Sequence, residues 1–407
     1  MAGNNILTIG GITREAIRLW KNSNAFLEHI DRQFDKDYAV SDAKIGENLR
    51  IRLPSDYTVR TGQSVSVNTT NQVSTTLVLG TQQGVDLSFS SATLKLSLQD
   101  FSKLYLAPAI NNLAGAVATA AMQMAESVPN IVTGNISSGA VSTPGISEWA
   151  QAGAVLSLMS APGGGRRGVL DLITQARTIA SFSGLFNPTG RISKQYDSGE
   201  VQGPALGVES WMGDQTCIIH TTATYTAQPT VNGAGQSGNT LTVNATTGAA
   251  YNVGDIITIA GVNAVNRITK VSTGQLAQFV VTAAYAGGTT LEVYPPITPP
   301  SGSNAVQYQT VDASPASGAQ ISCVTASGVQ YRKNVIFRPE AFTMATAALE
   351  VPAHGIVEGA AEEFDSMSMR MIRFYDGTDD QWITRLDVLY GLLAVRPEWA
   401  CIVADVV

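Results

Sequence analysis

The sequence predicts an α+β protein in which a parent domain is interrupted by a small inserted β-barrel. Three observations support this fold class: a long helical pattern in residues 100–128, alternating strand patterns on both sides of it, and an almost uncharged, β-rich segment from about residue 222 to 331. The 407-residue chain is longer than one hydrophobic core usually organises. We therefore expect two or three structural units.

The helical pattern is the longest in the chain. Pro108 suits a first helical turn, where its missing N–H has no partner to lose. A helix over about 108–128 would be about 30 Å long, at roughly 1.5 Å per residue. Its apolar residues recur in steps of three or four, which places them on one face: Ile110, Leu113, Val117, Ala121, Met124 and Val128.

The N-terminal part, residues 13–60, holds much of the charge of the chain, with both signs mixed. Apolar residues between the charges predict one or two short amphipathic helices with a break near 22–24. Two interpretations stay open: a helix packed on its own subunit, or an arm laid over a neighbouring subunit.

A long polar hairpin is predicted next, because no residue from Gly62 to Val85 is charged. Its strands would be Gln63 to Val67 and Val73 to Leu79, with the tip at Asn68 to Gln72. Such a hairpin is marginal alone in water, so we expect it to rest on another surface. Two alternating strands then lead to the helix: Val85 to Phe89 and Leu94 to Leu98.

The loop Ala161 to Gly168, APGGGRRG, lies between helical patterns at 147–159 and 169–181. Glycine N–H groups before a helix can bind phosphate, but the loop lacks the closing GK[ST] of a P-loop. We predict a turn that exposes Arg166 and Arg167 to a carboxylate on another subunit.

Composition changes near Thr221. From there to Tyr331 the only charged residues are Asp255, Arg267, Lys270, Glu292 and Asp312. Short strands separated by polar turns indicate a small barrel or sandwich, and an insertion requires that the chain leave and return at nearby points. The predicted strands are Thr240 to Val243, Asp255 to Ile259, Phe279 to Ala283, Thr290 to Tyr294 and Gln320 to Val324.

The last part of the chain is predicted to be mostly strand. A strand at Asn334 to Phe337 is followed by a mixed apolar stretch from Glu340 to Val351. A hairpin and a terminal strand complete the chain: Ser368 to Tyr375, Gln381 to Tyr390, and Ala400 to Val407.

Composition limits the function classes. Only 14% of the residues are charged, which favours a protein whose surface is covered by partners. A net charge of −7 and a pI near 5.1 argue against gripping a nucleic acid backbone, although enclosing one remains allowed. We expect no secretory signal and no membrane helix. Three distant cysteines, Cys217, Cys323 and Cys401, favour buried thiols over disulfides.

The sequence contains no pattern typical of catalysis. Its three histidines are scattered, and HExxH, CxxC and GxSxG motifs are missing. The DGTDD segment at 376–380 could bind calcium, but an Asp-Gly pair between two strands is more typical of a turn. The acidic residues Glu358, Glu362, Glu363 and Asp365 predict a solvated helix face or a complement to a basic patch such as Arg166 and Arg167. We predict no catalytic, cofactor or metal site.

Four stretches carry a resemblance to a known family. They are GLFNP at 184–188, NATTGAAYNVGDIITIAGV at 244–262, VQYRKNVIFRPEAFTM at 329–344 and LYGLLAVRPEWACIV at 389–403. In this order and spacing the chain resembles the major capsid protein of tailed phages, in particular podovirus-type coat proteins. Those proteins insert a β-barrel I-domain into the capsid fold shared with herpesviruses.

The resemblance implies a domain organisation for this chain: an N-arm at 1–48, an E-loop at 49–98, a peripheral domain with the spine helix at 99–205, an axial domain with returning peripheral strands at 206–221 and 332–407, and the inserted barrel at 222–331. The charged side chains expected at contacts between subunits are Arg60, Arg166, Arg167, Glu362 and Glu363.

The resemblance also implies a structural, non-enzymatic function. Copies would assemble as pentamers and hexamers into an icosahedral head around double-stranded DNA, in the virion and, before that, in the host cytoplasm. A separate scaffolding protein, a portal and a decoration protein are the implied partners. The alternatives are a phage tail, decoration or other β-rich surface-binding protein, and an enzyme of unrecognised type.

Overall fold

A computed structural model describes most of the chain: residues 13, 16, 25–32, 48–57, 62–63, 73–90, 105–134, 139–182, 199–201, 203–300, 306–352, 354, 358–364, 367–379 and 381–407. The chain divides into two compact units. Unit 1 comprises residues 1–51, 76–121 and 342–393, and unit 2 comprises 52–75, 122–341 and 394–407.

The described α-helices are α1 (Ala25–His29), α2 (Ala107–Met122), α3 (Ile146–Leu158) and α4 (Leu172–Phe182). The strands are β1 (Asn48–Arg52), β2 (Ser74–Val78), β3 (Thr81–Ser90), β4 (Ile131–Val132), β5 (Arg167–Leu170), β6 (Ser210–Gly213), β7 (Ile219–Thr221), β8 (Gly238–Thr242), β9 (Ile256–Val265), β10 (Ser272–Val281), β11 (Thr290–Ile297), β12 (Ile321–Cys323), β13 (Gln330–Phe337), β14 (Phe342–Ala347), β15 (Glu358–Phe364), β16 (Met367–Asp376), β17 (Gln381–Ala394) and β18 (Ala400–Val406).

The predicted long helix is confirmed as α2. The side chains of Ile110, Leu113, Val117 and Ala121 are almost fully buried, as their spacing requires. The α-helix ends at Met122, and a 3₁₀ helix, Gln123–Ser127, follows it directly in the sequence. The tighter i to i+3 bonding of a 3₁₀ turn is common at helix ends.

The predicted polar hairpin is confirmed in part. Its second strand is present as β2, but the first predicted strand and the tip lie largely outside the described residues. Among the described residues β2 pairs with β1, a partner that we did not predict. The predicted strand at Leu94 to Leu98 and the GLFNP stretch lie outside the described residues.

Unit 1 contains a five-stranded sheet in the order β14, β17, β16, β15, in which β3 also pairs with β17. The predicted hairpin is confirmed by its register, in which Tyr375 lies opposite Trp382. Asp376 accepts a 2.9 Å hydrogen bond from the Thr378 N–H, as in a turn.

The helix proposed for the acidic run is wrong, because Glu358–Phe364 is the strand β15. Its pairing with β16 outweighs the helical preference of the glutamates.

Unit 2 has a six-stranded sheet in the order β4, β18, β13, β5, β6, in which β7 also pairs with β13. The predicted strands at β13 and β18 are confirmed. The prediction of a helix from residue 169 is wrong at its start, since Val169 lies in β5 opposite Val335 and the helix α4 begins at Leu172. A four-residue apolar run is too short for periodicity to separate strand from helix.

All five strands predicted for the insert are present, in the order β12, β9, β10, β11, β8. The segment 229–232 lies between the two edges: the Val231 N–H donates to the Ala319 carbonyl at 2.9 Å, and the Asn232 N–H donates to the Thr242 carbonyl at 3.0 Å. These bonds close the sheet into the predicted barrel. An apolar core fills it, with Phe279, Ile257 and Val281 fully buried.

The barrel leaves and rejoins the six-stranded sheet at neighbouring residues. Thr221 at the end of β7 lies opposite Gln330 at the start of β13. The next pair outward continues this approach, because the Thr222 N–H donates to the Val329 carbonyl at 2.9 Å. A segment with adjacent ends can be inserted without disturbing the sheet that carries it.

Candidate functional site at the junction of the barrel

Arg166, predicted to be exposed for a partner subunit, is buried instead, with 5% of its surface accessible. Its three guanidinium nitrogens all donate hydrogen bonds within the chain, to the carbonyl oxygens of Gly153, Ala161 and Pro162 and to the Ser157 hydroxyl. Burial lowers its pKa, and the neighbouring Arg338 lowers it further. Arg166 therefore fastens the glycine loop to α3, and its predicted exposure is corrected.

The other predicted contact residues are placed differently. Arg167 is partly exposed, and its guanidinium lies 3.8 Å from Glu209 of the same chain. Glu362 and Glu363 lie on β15, the last strand in its sheet among the described residues. Arg60 lies outside the described residues.

The barrel is joined to the rest of unit 2 by several polar contacts. One is centred on Arg267, in the turn between β9 and β10, whose guanidinium lies 3.0 Å from both Asp56 and Glu398. The hydroxyl of Tyr294 on β11 donates to the same Glu398 carboxylate at 2.8 Å. These contacts beside a cavity of about 220 Å³ connect the barrel to the segment before β18.

A second contact uses a side-chain amide in place of a strand. Gln278 on β10 accepts a hydrogen bond from the Ile131 N–H at 2.8 Å and donates to the Ile131 carbonyl at 3.0 Å. Ile131 belongs to β4, the edge strand of the six-stranded sheet. The amide thus satisfies backbone groups that an edge strand would leave unpaired.

A third contact is a group of four ionisable side chains, of which three are buried and Glu126 is 26% exposed; we call it the junction quartet: Glu126, His220, Asp255 and Lys333. Glu126 comes from the 3₁₀ helix after α2, His220 from β7 and Lys333 from β13. Asp255 immediately precedes β9 of the barrel. The quartet therefore brings together the 3₁₀ helix that follows α2, two strands of the six-stranded sheet and the barrel.

Distances within the junction quartet are those of strong hydrogen bonds. His220 Nε2 lies 2.9 Å from Asp255, and Nδ1 lies 3.0 Å from Glu126. The Lys333 ammonium lies 2.5 Å from Glu126 and donates to the Gly254 carbonyl at 3.2 Å. Both Asp255 and Lys333 have no accessible side-chain surface.

Burial and hydrogen bonding oppose each other in the pKa values of the quartet. Burial by itself would lower the pKa of His220, but the bonds to Asp255 and Glu126 outweigh it and raise that pKa. Burial would raise the pKa of Glu126, yet His220 and Lys333 lower it. Burial lowers the pKa of Lys333 although Glu126 opposes this effect.

Sequence reasoning missed the quartet because its members are separated by up to 207 positions along the chain. We considered the histidines only as zinc ligands, and in the part of the chain that the structure describes no group of three or more potential ligands could hold a metal. One signal was available. The insert has only five charged residues, and two of them, Asp255 and Arg267, bind partners outside it.

No catalytic arrangement is seen in the described residues. The larger cavity of unit 2, about 800 Å³, is lined by apolar and uncharged polar side chains such as Val155, Leu276 and Gln278. Burial raises the pKa of the Cys323 thiol to about 12 and also raises those of Cys217 and Cys401, which disfavours the nucleophilic thiolate form of each. Among the described helices none is long and apolar enough to cross a membrane.

The sequence matches the family model of the P22 coat protein, gene protein 5, over residues 30–403. The chain belongs to the P22 coat protein family. No curated protein sequence matches it. As a member of this coat protein family it has the α+β capsid fold and is a major capsid protein, a structural component of the phage shell.

Solved structures from several phages are similar to this chain. The Ralstonia phage GP4 capsid is 7% identical, with 94% of this chain and 91% of that chain covered and a TM-score of 0.48. Mycobacterium phage Che8 is 10% identical, with 93% and 90% covered and a TM-score of 0.44. The CUS-3 coat protein I-domain is 34% identical over 26% of this chain and 93% of that chain, with a TM-score of 0.18.

Proposed function

We propose that this coat protein assembles as pentamers and hexamers into an icosahedral head that encloses packaged double-stranded DNA. The observation that carries the proposal is the family match over residues 30–403, which includes both the helical first half and the inserted barrel. A tail or decoration protein would account only for the β-rich middle of the chain.

DNA would be held by enclosure and not by sequence-specific binding, because the chain carries a net charge of −7. Assembly takes place in the host cytoplasm with a separate scaffolding protein, and a portal and a decoration protein complete the particle. In this proposal the chain itself has no enzymatic activity.

Subunit contacts are proposed to use the N-arm (1–48) and the E-loop (49–98), which exchange between neighbours and bury about 2,000 Å² or more, as in obligate interfaces. The remaining parts follow the same scheme: a peripheral domain at 99–205, an axial domain at 206–221 and 332–407, and the barrel at 222–331. Several modest contacts per subunit sum to a stable shell through multivalency.

The experiment that tests this function is negative-stain microscopy of the purified full chain, expressed alone and together with the scaffolding gene of its own genome. We expect closed shells or sheets of hexamers in at least one of the two preparations. A monodisperse monomer or trimer in both would contradict the proposal.

Charged contacts between subunits are proposed for Arg167, Glu362 and Glu363, and for Arg60, whereas the burial of Arg166 removes it from this set. The edge position of β15 supports a contact there, since an edge strand offers backbone groups to another chain. Arg167→Glu should lower the yield of shells without lowering the thermal stability of the monomer. Arg167→Lys, which keeps the positive charge at the same position, is the control; equal yields from both variants would remove the charge of Arg167 from the interface.

A further inference from the structure

The junction quartet has a feature that an ordinary buried ion pair lacks: both nitrogens of one imidazole face carboxylates. His220 Nδ1 lies 3.0 Å from Glu126 Oε2, and Nε2 lies 2.9 Å from Asp255 Oδ1. An ionised carboxylate only accepts hydrogen bonds, so each ring nitrogen must carry a proton to bond it. A neutral imidazole has one N–H and would leave one carboxylate facing a ring lone pair.

The Asp255 carboxylate is surrounded by hydrogen-bond donors. Its second carboxylate oxygen accepts the N–H of Asn252 at 2.7 Å and the N–H of Ala223 at 3.2 Å. Two backbone N–H groups and one ring nitrogen therefore surround this carboxylate, which accepts hydrogen bonds from them. The proton shared between Asp255 and His220 therefore belongs to the histidine.

Charge balance is a second argument that His220 is protonated. Glu126 and Asp255 bring two negative charges, Lys333 brings one positive charge, and a protonated His220 brings the second. His220 is 5% exposed, and Asp255 and Lys333 are fully buried. If His220 were neutral, the negative charge of the fully buried Asp255 would lose its bonded cationic partner, which is unfavourable.

Other groups that face the quartet cannot supply the missing positive charge. The Tyr331 ring lies 5.3 Å from the His220 ring, and its pKa is raised by burial, so it stays neutral. Burial raises the pKa values of the Cys323 thiol and of the Tyr225 and Tyr251 hydroxyls, and the nearby charge of Asp255 raises them further, so these groups also stay neutral. Within the quartet, His220 has the ordinary pKa closest to neutral pH, 6.5, whereas burial lowers the pKa of Lys333 from a higher ordinary value.

We propose that His220 is an imidazolium in the folded chain and forms a pH-sensitive link between the inserted barrel, through Asp255, and the 3₁₀ helix that follows α2, through Glu126. The link is complete at neutral and mildly acidic pH and is lost when His220 gives up its second ring proton. This inference concerns the folded monomer and does not depend on the proposed assembly.

The direction of the pH dependence follows from proton linkage. Hydrogen bonds to Asp255 and Glu126 raise the pKa of His220 above its ordinary value of 6.5 in spite of burial. The folded chain therefore binds this proton more tightly than the unfolded chain does. The stabilisation is fully present below pH 6.5 and is lost as the pH rises through the folded-state pKa, with at most a tenfold change in the opening constant per pH unit for one proton.

Nitrogen-15 NMR of the full chain, labelled at histidine, tests the protonation state directly. The chain has only three histidines, so the His220 signal is identified by its loss in His220→Gln. At pH 7 we expect the shifts of an imidazolium with both nitrogens protonated. A neutral tautomer of His220 at pH 7 would overturn the proposal. If His220→Gln does not fold, His354→Gln and His29→Gln assign the signal by elimination.

Hydrogen exchange from pH 6 to pH 9, corrected for the intrinsic pH dependence of exchange, tests the link between the elements. Peptides of β7, β9 and β13 should open more readily as the pH rises in the unmodified chain. His220→Gln should abolish this extra slope, and His354→Gln, at an exposed position, should retain it. Equal slopes in all three proteins would rule out a pH-sensitive link at His220.

Discussion

The interior of the inserted barrel and its junction with the rest of unit 2 are built from opposite kinds of side chain. The barrel interior is closed by apolar residues such as Phe279, Leu291 and Val243, each at most 1% exposed. The junction is made by charged and amide groups: Arg267, Gln278 and the quartet around His220. The barrel interior is fully buried and the junction only in part, and only the junction depends on ionisation.

The difference teaches how an insertion can be both stable and adjustable. Apolar burial is non-directional and nearly independent of pH, so the barrel can keep its fold while its surroundings change. Buried ion pairs add little net stability over apolar packing, but they tolerate only one arrangement and fail when one partner is lost. The contacts that hold the barrel at the junction therefore depend on pH, whereas the packing of the barrel core does not.

The largest effect is expected from a substitution in the apolar core of the barrel. Phe279→Ala should lower the opening free energy of the barrel amides by about 4 kcal/mol, through lost transfer energy and the cavity left behind. Hydrogen exchange of β9 and β10 measures it, and the slope of stability against pH should not change. Leu276→Ala, at a side chain that is 44% exposed, is the control. Similar losses in both variants would contradict a core role for Phe279.

A somewhat smaller loss, about 3 kcal/mol, is expected for Lys333→Met, because the substitution leaves the buried charge on Glu126 with His220 as its remaining cationic partner. Equilibrium urea unfolding followed by tryptophan fluorescence measures this change. The double variant Lys333→Met/Glu126→Gln should recover part of the loss, since both charges are then removed. A double variant with the summed losses of the two single variants would show that the two residues are not coupled.

Arg267→Ala should cost about 1 kcal/mol, because its side chain is 35% exposed and its ion pairs with Asp56 and Glu398 are partly screened by water. Raising the salt concentration should reduce the difference between the variant and the unmodified chain. The readout is hydrogen exchange of the β9–β10 turn. A loss that is insensitive to salt would indicate packing of the arginine stem and not its charge.

The smallest effect sharpens the comparison. Glu292 is the one charged residue on β11 and is exposed, so Glu292→Gln should leave barrel opening unchanged within error at every pH from 6 to 9. A pH-dependent change in this variant would show that the barrel itself carries charge-dependent stability and would remove the contrast between barrel and junction.

Several elements could be predicted from the sequence because their determinants are local. The spacing of Ile110, Leu113 and Val117 marks the buried face of α2, and alternation marks the β16–β17 hairpin. The five barrel strands follow from β-branched runs between glycine and asparagine turns. Where the pattern was short or its signals conflicted, as at Val169 in β5 and at the acidic run of β15, strand pairing decided the outcome.

The candidate site was predicted much less well. An arginine in a glycine-rich loop gives the same sequence signal whether it is exposed or buried, and Arg166 is buried because the carbonyl groups at the end of α3 and in the following turn are within its reach. His220 had no neighbours in sequence that suggested a role. Its partners Glu126 and Asp255 are 94 and 35 positions away.

By itself the sequence determined the fold class, the family, the positions of the long helix, the barrel strands and the C-terminal strands, and the low charge of the insert, since these depend on composition and short-range periodicity. Only the tertiary structure decided which charges are buried and with which partners. A hydrogen bond needs its two atoms within about 3 Å of each other, and for residues separated by a whole inserted barrel that distance is set by the folded sheet.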